Sequence, residues 1–220
     1  MQHPLDDPIW SALSGPNARF AIGFGKALHF QRDVAPFSAI SEPSDEAYAD
    51  LAVQLPAGGL ARMFRPAMEP LPVGWEHVED FSLLQMVAVP QVLKRATGSS
   101  EISVLKAQDL PEMLELVSLT QPGPFEERTP ELGLYLGIRQ GGRLIAMAGE
   151  RMRVPGYVGC KKGVSPRSKA PCMSRRKSNA ARPRPRACGR VQIALSSTYP
   201  GTRMRSPAIA VRQPPCRMPT

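Results

Sequence analysis

The stretch LGIRQGGRLIAMAGERMR (Leu136–Arg153) decides how this chain folds. Two apolar runs flank Gly141-Gly142, and paired glycines supply the positive φ that a two-residue hairpin turn demands. The reading is an antiparallel hairpin, Leu136–Gln140 against Arg143–Arg153. Pro155-Gly156 makes the next turn and leads into another strand from Tyr157.

Working upstream, Ile102-Ser103-Val104-Leu105 reads as a short strand. Asp109-Leu110-Pro111-Glu112 has capping-box spacing, with Asp109 expected to accept from the backbone N–H of Glu112. Leu110, Met113, Leu114 and Val117 then share one helical face. Pro122-Gly123-Pro124 breaks that helix, and Thr129-Pro130-Glu131 repeats an N-cap, proline and acid signature for a second, shorter one. The order is strand, helix, helix, strand, strand, an α/β class. Met113, Met147 and Met152 fall at apolar-face positions and are expected in the core.

Residues 1–95 are read as a small α+β N-terminal domain. Asp7 N-caps a short helix with Pro8 at its first position. Ala18–Phe30 holds strand-like stretches around Gly23 and Gly25, and Ser44-Asp45-Glu46-Ala47 opens a helix running through Leu55. Phe81–Val89 is a strand closed by Pro90, and Ala96-Thr97-Gly98-Ser99-Ser100 is the expected hinge to residues 101–159.

The segment Thr120-Gln121-Pro122-Gly123-Pro124-Phe125, with Arg128-Thr129 and the hairpin end Ala146-Met147-Ala148-Gly149-Glu150-Arg151-Met152, resembles the first half of GNAT superfamily N-acetyltransferases of the FR47-like group. The opening DDPIWSAL and GPNARFA (Asp6–Ala21) is similar to the start of the same proteins. The resemblance implies the first half of a GNAT mixed sheet with flanking helices over residues 101–159. It also implies transfer of an acetyl group from acetyl-CoA to an amine whose identity the chain does not disclose. Glu150 is then a candidate catalytic base or amine anchor, beside the simpler reading of a strand-end carboxylate paired with Arg151 or Arg143. Tyr157 is a candidate substrate-binding residue lining the same cleft.

The resemblance implies that a strand ending in an Arg/Gln-x-x-Gly-x-Gly/Ala loop follows, where backbone N–H groups and a helix dipole hold the pyrophosphate of coenzyme A. Tyr157-Val158-Gly159 instead leads into Cys160-Lys161-Lys162-Gly163-Val164-Ser165-Pro166, and no such loop occurs downstream. No residue of this chain is therefore assigned to cofactor binding, and an inactive product is expected. Composition breaks at the same place. Of 28 Lys and Arg, 15 lie in residues 161–220, which hold no Asp or Glu; the other 13 face all 19 acids in the first 160. An acidic domain thus carries a strongly basic Pro/Arg-rich segment. Tyr199 is the sole aromatic in it, against both tryptophans and all seven phenylalanines before it. Residues 160–220 are expected to be largely disordered, since they lack the apolar content that offsets chain entropy. The sheet is then expected to end on an exposed edge.

A shifted reading frame accounts for this segment. Take the third base of each codon with the first two of the next, using CGN for arginine. The codon spanning Met204 and Arg205 is then forced to alanine, and its neighbours admit Asn-Ala-Asp-Ala-Ile-Ala-x-Tyr. GNAT proteins carry an Asn…Ala-Ile…Tyr spacing of this kind in their last conserved helix.

Other classes find less support. No apolar run reaches the ~18–20 residues that span a bilayer, and the N-terminus lacks a basic n-region and apolar h-region, so a cytoplasmic location without membrane contact is expected. His3, His29 and His77 have no paired ligand spacing, and no metal site is expected. Gly23-Phe24-Gly25 lacks a third glycine at dinucleotide-binding spacing. Cys160, Cys172, Cys188 and Cys216 form no defensible disulfide framework. Ser174-Arg175-Arg176-Lys177 and Arg182-Pro183-Arg184-Pro185-Arg186 suit non-specific nucleic-acid contact, without aromatics for base stacking. A non-functional translation product is the remaining alternative.

Overall fold

The computed structural model describes residues 3–88, 102–164, 193–196 and 203–212. Helix α1 (Pro8–Leu13) starts as the sequence predicts: Asp7 caps it by accepting from the Trp10 backbone N–H, and Pro8 opens it. Strands β1 (Ala21–Phe24), β2 (Ala27–Phe30) and β3 (Ser38–Ile40) form a small antiparallel sheet. Helix α2 (Asp45–Gln54) begins at the Ser44 cap and buries Ala47, Tyr48 and Leu51. These pack with Ala27, Ile40, Ala61 and Met63 into one compact cluster.

The larger sheet has eight strands in the order β4-β11-β5-β10-β9-β8-β7-β6. Its members are β4 (Leu60–Phe64), β5 (Glu76–Ala88), β6 (Ile102–Val104), β7 (Tyr135–Gln140), β8 (Arg143–Val154), β9 (Tyr157–Val164), β10 (Ile193–Ser196) and β11 (Arg203–Arg212). The β7–β8 hairpin turns at Gly141 and Gly142, with φ of 57° and 79°, as the sequence predicts. Helix α3 (Leu110–Thr120) lies between β6 and β7 in the chain. It ends at Gln121 in the left-handed conformation, φ 39°, where the proline-rich loop takes over.

Three expectations are corrected. Asp109 does not cap α3 through Glu112: a 3₁₀ turn over Ala107–Asp109 precedes the helix, and the Asp109 carboxylate reaches back to the Lys106 N–H at 2.7 Å. The buried face of α3 is Met113 and Leu116, with Val117 packed beside them, while Leu110 and Leu114 are half-buried. Strand β9 is no edge, because β10 pairs with it at Ala194↔Cys160 and Leu195↔Gly159. That pairing uses the tail's Ile193-Ala194-Leu195; β11 uses another apolar run, Ala208-Ile209-Ala210-Val211. The hinge at 96–100 and tail residues 165–192, 197–202 and 213–220 lie outside the described residues.

Strand β8 takes two extra residues, Ile145 opposite β7 and Arg151 opposite β9. Each bulge shifts the side-chain alternation by one. Leu144, Met147, Gly149, Met152 and Val154 are therefore all buried, although strict alternation would divide them between two faces. Met113, Met147 and Met152 are core residues. One cluster joins Leu5, Ile9, Phe30 and Phe64 to Leu132, Met152, Val154 and Tyr157. A second joins α3 to β7 and β8 through Met113, Leu116, Tyr135, Leu144 and Met147. Among the described residues no helix is long and apolar enough to cross a membrane.

Candidate functional site

The β8–β9 pair and the loop after α3 bring the candidate residues together. Glu150 opposes Cys160 across the strands, and its backbone N–H donates to the Leu134 carbonyl at 3.0 Å. Its side chain is 17% exposed. The carboxylate accepts from Arg153 twice, at 2.9 Å from Nε and 2.7 Å from Nη2. It lies against Gly133, where a Cβ would fall 2.1 Å from Oε2, so only glycine leaves room for it. The partner is thus Arg153 and not Arg151 or Arg143. The bulge at Arg151 explains the choice: residues 150 and 153 of a regular strand lie on opposite faces, and one inserted residue brings them to the same side. Arg143 pairs with Glu115 on α3 instead.

Tyr157 sits at the β8–β9 turn opposite Val154, some way along the ladder from Glu150. It is 8% exposed and belongs to the core shared with α1. Its hydroxyl meets His3 Nε2 at 3.1 Å, and the two rings stand edge to face at 5.5 Å. Cys160 is half-buried, and burial together with the nearby Glu150 charge raises its thiol pKa, so it is held as a thiol and not as a nucleophilic thiolate.

Residues that the sequence reading passed over complete the region. Tyr135 lies opposite Gly149, where a Cβ would fall 2.1 Å from its ring, and Phe125 meets it edge to face at 5.9 Å. Burial pushes the Tyr135 hydroxyl up to about 12, the nearby Arg151 charge opposing the rise. Burial of the Arg151 head group holds its pKa below the ordinary arginine value. The bulge that seats Arg151 between Glu150 and Met152 has no mark in the sequence.

The loop carrying Phe125 is tied down to the N-terminal region. Fully buried Thr129 donates to the Val34 carbonyl and accepts from the Glu126 N–H, both at 2.7 Å. Arg128 donates to Gln31 at 2.8 Å, to Asp33 at 3.1 Å and to Glu131. Asn17 accepts from the Arg153 backbone N–H at 2.6 Å. Glu126 also borders an open cleft of about 300 Å³ that His29, Arg32, Phe37 and Arg62 help to line.

No family model and no curated protein matches this chain. A crystal structure assigned to the GNAT acetyltransferase family, from Novosphingobium aromaticivorans, is similar at 26% sequence identity with a TM-score of 0.70, over 96% of this chain and 99% of that one. The likeness supports the GNAT superfamily and an acyltransferase ancestry.

Proposed function

We propose that the chain derives from an acetyl-CoA-dependent N-acetyltransferase of the FR47-like GNAT group, and that in this form it turns over no acetyl-CoA. The observation that carries the ancestry is the full-length likeness to a GNAT-family acetyltransferase at 26% identity. It agrees with the order strand, helix, 3₁₀ turn (Thr129–Leu132, with Arg128 and not Thr129 at its N-cap) and hairpin, and with the QPGPF and AMAGERM segments. Inactivity is argued from the other half of the site.

The chain's own residues do not fit the cofactor. Past Gly159 the sequence lacks the glycine-rich loop, and among the described residues no helix follows β9 to offer backbone N–H groups to a pyrophosphate. Strand β10 runs antiparallel to β9 and bonds to it at Cys160 and Gly159. No catalytic step through acetyl-CoA is derived for these residues. The compositional break after residue 160 supports a shifted reading frame as its cause. Glu150 and Tyr157 stand as the ancestral base and acceptor-cleft residues of this reading.

Sequencing the gene through the codons for Tyr157–Lys162 tests the frame. A one- or two-base discrepancy that restores the missing loop makes the basic tail an artefact. The purified 220-residue chain, incubated with acetyl-CoA and a panel of amines, is expected to form no acetylated product by mass spectrometry. Product formation overturns the inactive reading.

A second reading is favoured by the 15 basic and no acidic residues of 161–220. That segment releases counterions from any nucleic acid it meets. Binding is then non-specific, falls steeply with salt and disappears on cleavage at residue 160. Binding that survives physiological salt with a sequence preference would contradict it.

A further inference from the structure

The cleft that Glu126 borders opens where the end of β2, the loop to β3, the end of α2 and β4 come together, and two arginines line it. Arg62 reaches it by strand alternation. Ala61 and Met63 turn into the α2 cluster, which leaves Leu60 and Arg62 to face the cleft. Arg32 reaches it from the turn after β2, where the Val34 and Ala35 N–H groups both donate to the Gln31 carbonyl. That turn is tied down from a distant loop: Thr129 donates to the Val34 carbonyl, and Arg128 donates to Gln31 and Asp33.

Neither guanidinium has an acceptor among the described residues, whereas Arg65, Arg128, Arg139, Arg143 and Arg153 each have a carboxylate. Asp33, the acid next to Arg32, is engaged by Arg128. Glu126 lines the same cleft and forms no ion pair with either arginine; its backbone N–H is what ties it to Thr129. A lone exposed arginine is ordinary. Two that meet in one cleft with an apolar floor make a site. Phe37 supplies that floor, its ring tilted against Phe64 at 5.1 Å, and Leu55, Pro56 and Leu60 extend it. The volume, about 300 Å³, is that of a small-molecule pocket.

A guanidinium carries donors only, and its fork matches the two oxygens of a carboxylate. Two guanidiniums against the one carboxylate of Glu126 leave a single positive charge. A monoanion balances it, and a dianion such as phosphate overshoots it. Phe37 and its aliphatic neighbours suit a flat apolar body behind that head group. We propose that this cleft binds a small aromatic carboxylate, with Arg32 and Arg62 on the head group and Phe37 against the ring. The site is independent of the acetyltransferase reading, since none of its lining residues lies on β8 or β9.

The full chain is titrated calorimetrically with phenylacetate and with phenylacetamide, which share the ring and differ at the head group. The acid is expected to bind at least about tenfold tighter than the amide, the weight of a charge-assisted pair. Arg32→Gln and Arg62→Gln each lower the acid's affinity several-fold, and together they erase its preference over the amide. Both side chains are exposed, so both variants are expected to fold. Glu126→Gln removes a like charge from the cleft and tightens binding of the acid, while Arg143→Gln, whose native side chain pairs with Glu115, leaves it unchanged. Acetate, lacking the ring, binds more weakly than phenylacetate. The proposal is overturned by any of four results: no binding of phenylacetate by the folded chain, equal affinity for acid and amide, acetate or inorganic phosphate binding as tightly as phenylacetate, or a preference that survives the double substitution.

Discussion

Arg65 is 2% exposed, and its guanidinium is shared among Asp7, Glu69 and the Ile40 carbonyl. Tyr48 closes the network by donating to Glu69 at 2.8 Å. The cap of α1 is thus also a buried ion-pair partner. Burial pushes the Asp7 carboxyl up to about 6 from 3.8, against the lowering effect of Arg65. The folded state therefore holds this proton more tightly than the unfolded chain does. Its contribution to stability is full below about pH 4 and is lost as pH rises through about 6. Asp7→Asn keeps a capping oxygen and removes the ionisation. The stability advantage of the native residue over Asn is expected to shrink between pH 4 and pH 7 in urea unfolding. An advantage that grows over that range contradicts this account. Asp7 was legible in the sequence as a cap, because a cap is set by the next three residues. Its partner Arg65 was not, since 58 positions separate them. Glu150 shows the same limit: its chemistry was legible, but its partner was chosen by a bulge.

Among the elements, the β7–β8 hairpin was the most legible, because its turn is settled by two adjacent residues. Gly141 and Gly142 both have positive φ, and a Cβ on either would meet open space, so backbone strain alone decides what they tolerate. Gly142→Val is expected to cost about 1–2 kcal/mol, the left-handed penalty for a side chain with Cβ. Gly141→Asn should be nearly neutral, because asparagine tolerates that region. Thermal unfolding of the two variants separates them, and equal melting temperatures would show that the turn does not set the register. Helix α3 was legible in place and length but not in its rotation. Leu116 was missed because Leu110, Leu114 and Leu119 are as apolar as it is, and only contact with β7 and β8 selects the buried face.

For the whole molecule, the division that the sequence predicts between residues 1–95 and 101–159 meets a shared core and several cross-links. Leu132, Met152, Val154 and Tyr157 pack with residues of α1, β2 and β4. Thr129 bridges Val34 and Glu126. Thr129→Val keeps the volume and leaves a buried carbonyl and N–H unpaired, at a cost of about 1–3 kcal/mol for each. If the two regions unfold as one unit, hydrogen exchange will report equal loss of protection in Ala27–Phe30 and Tyr135–Gln140. Loss confined to the second segment would mean that the two regions are separate folding units.

The sequence by itself determined the strand–helix–hairpin order, the caps of α1 and α2, the glycine turn of the hairpin and the compositional break at residue 160. These follow from neighbouring residues through local sterics, capping and patterning. Tertiary structure alone decided the two bulges of β8, the pairing of Glu150 with Arg153, the burial of the Tyr135 hydroxyl without a partner, and the addition of β10 and β11 to the sheet. Each depends on which distant strand lies alongside and in what register. One inserted residue reverses the facing of every side chain beyond it, and no spacing within a single strand records that choice.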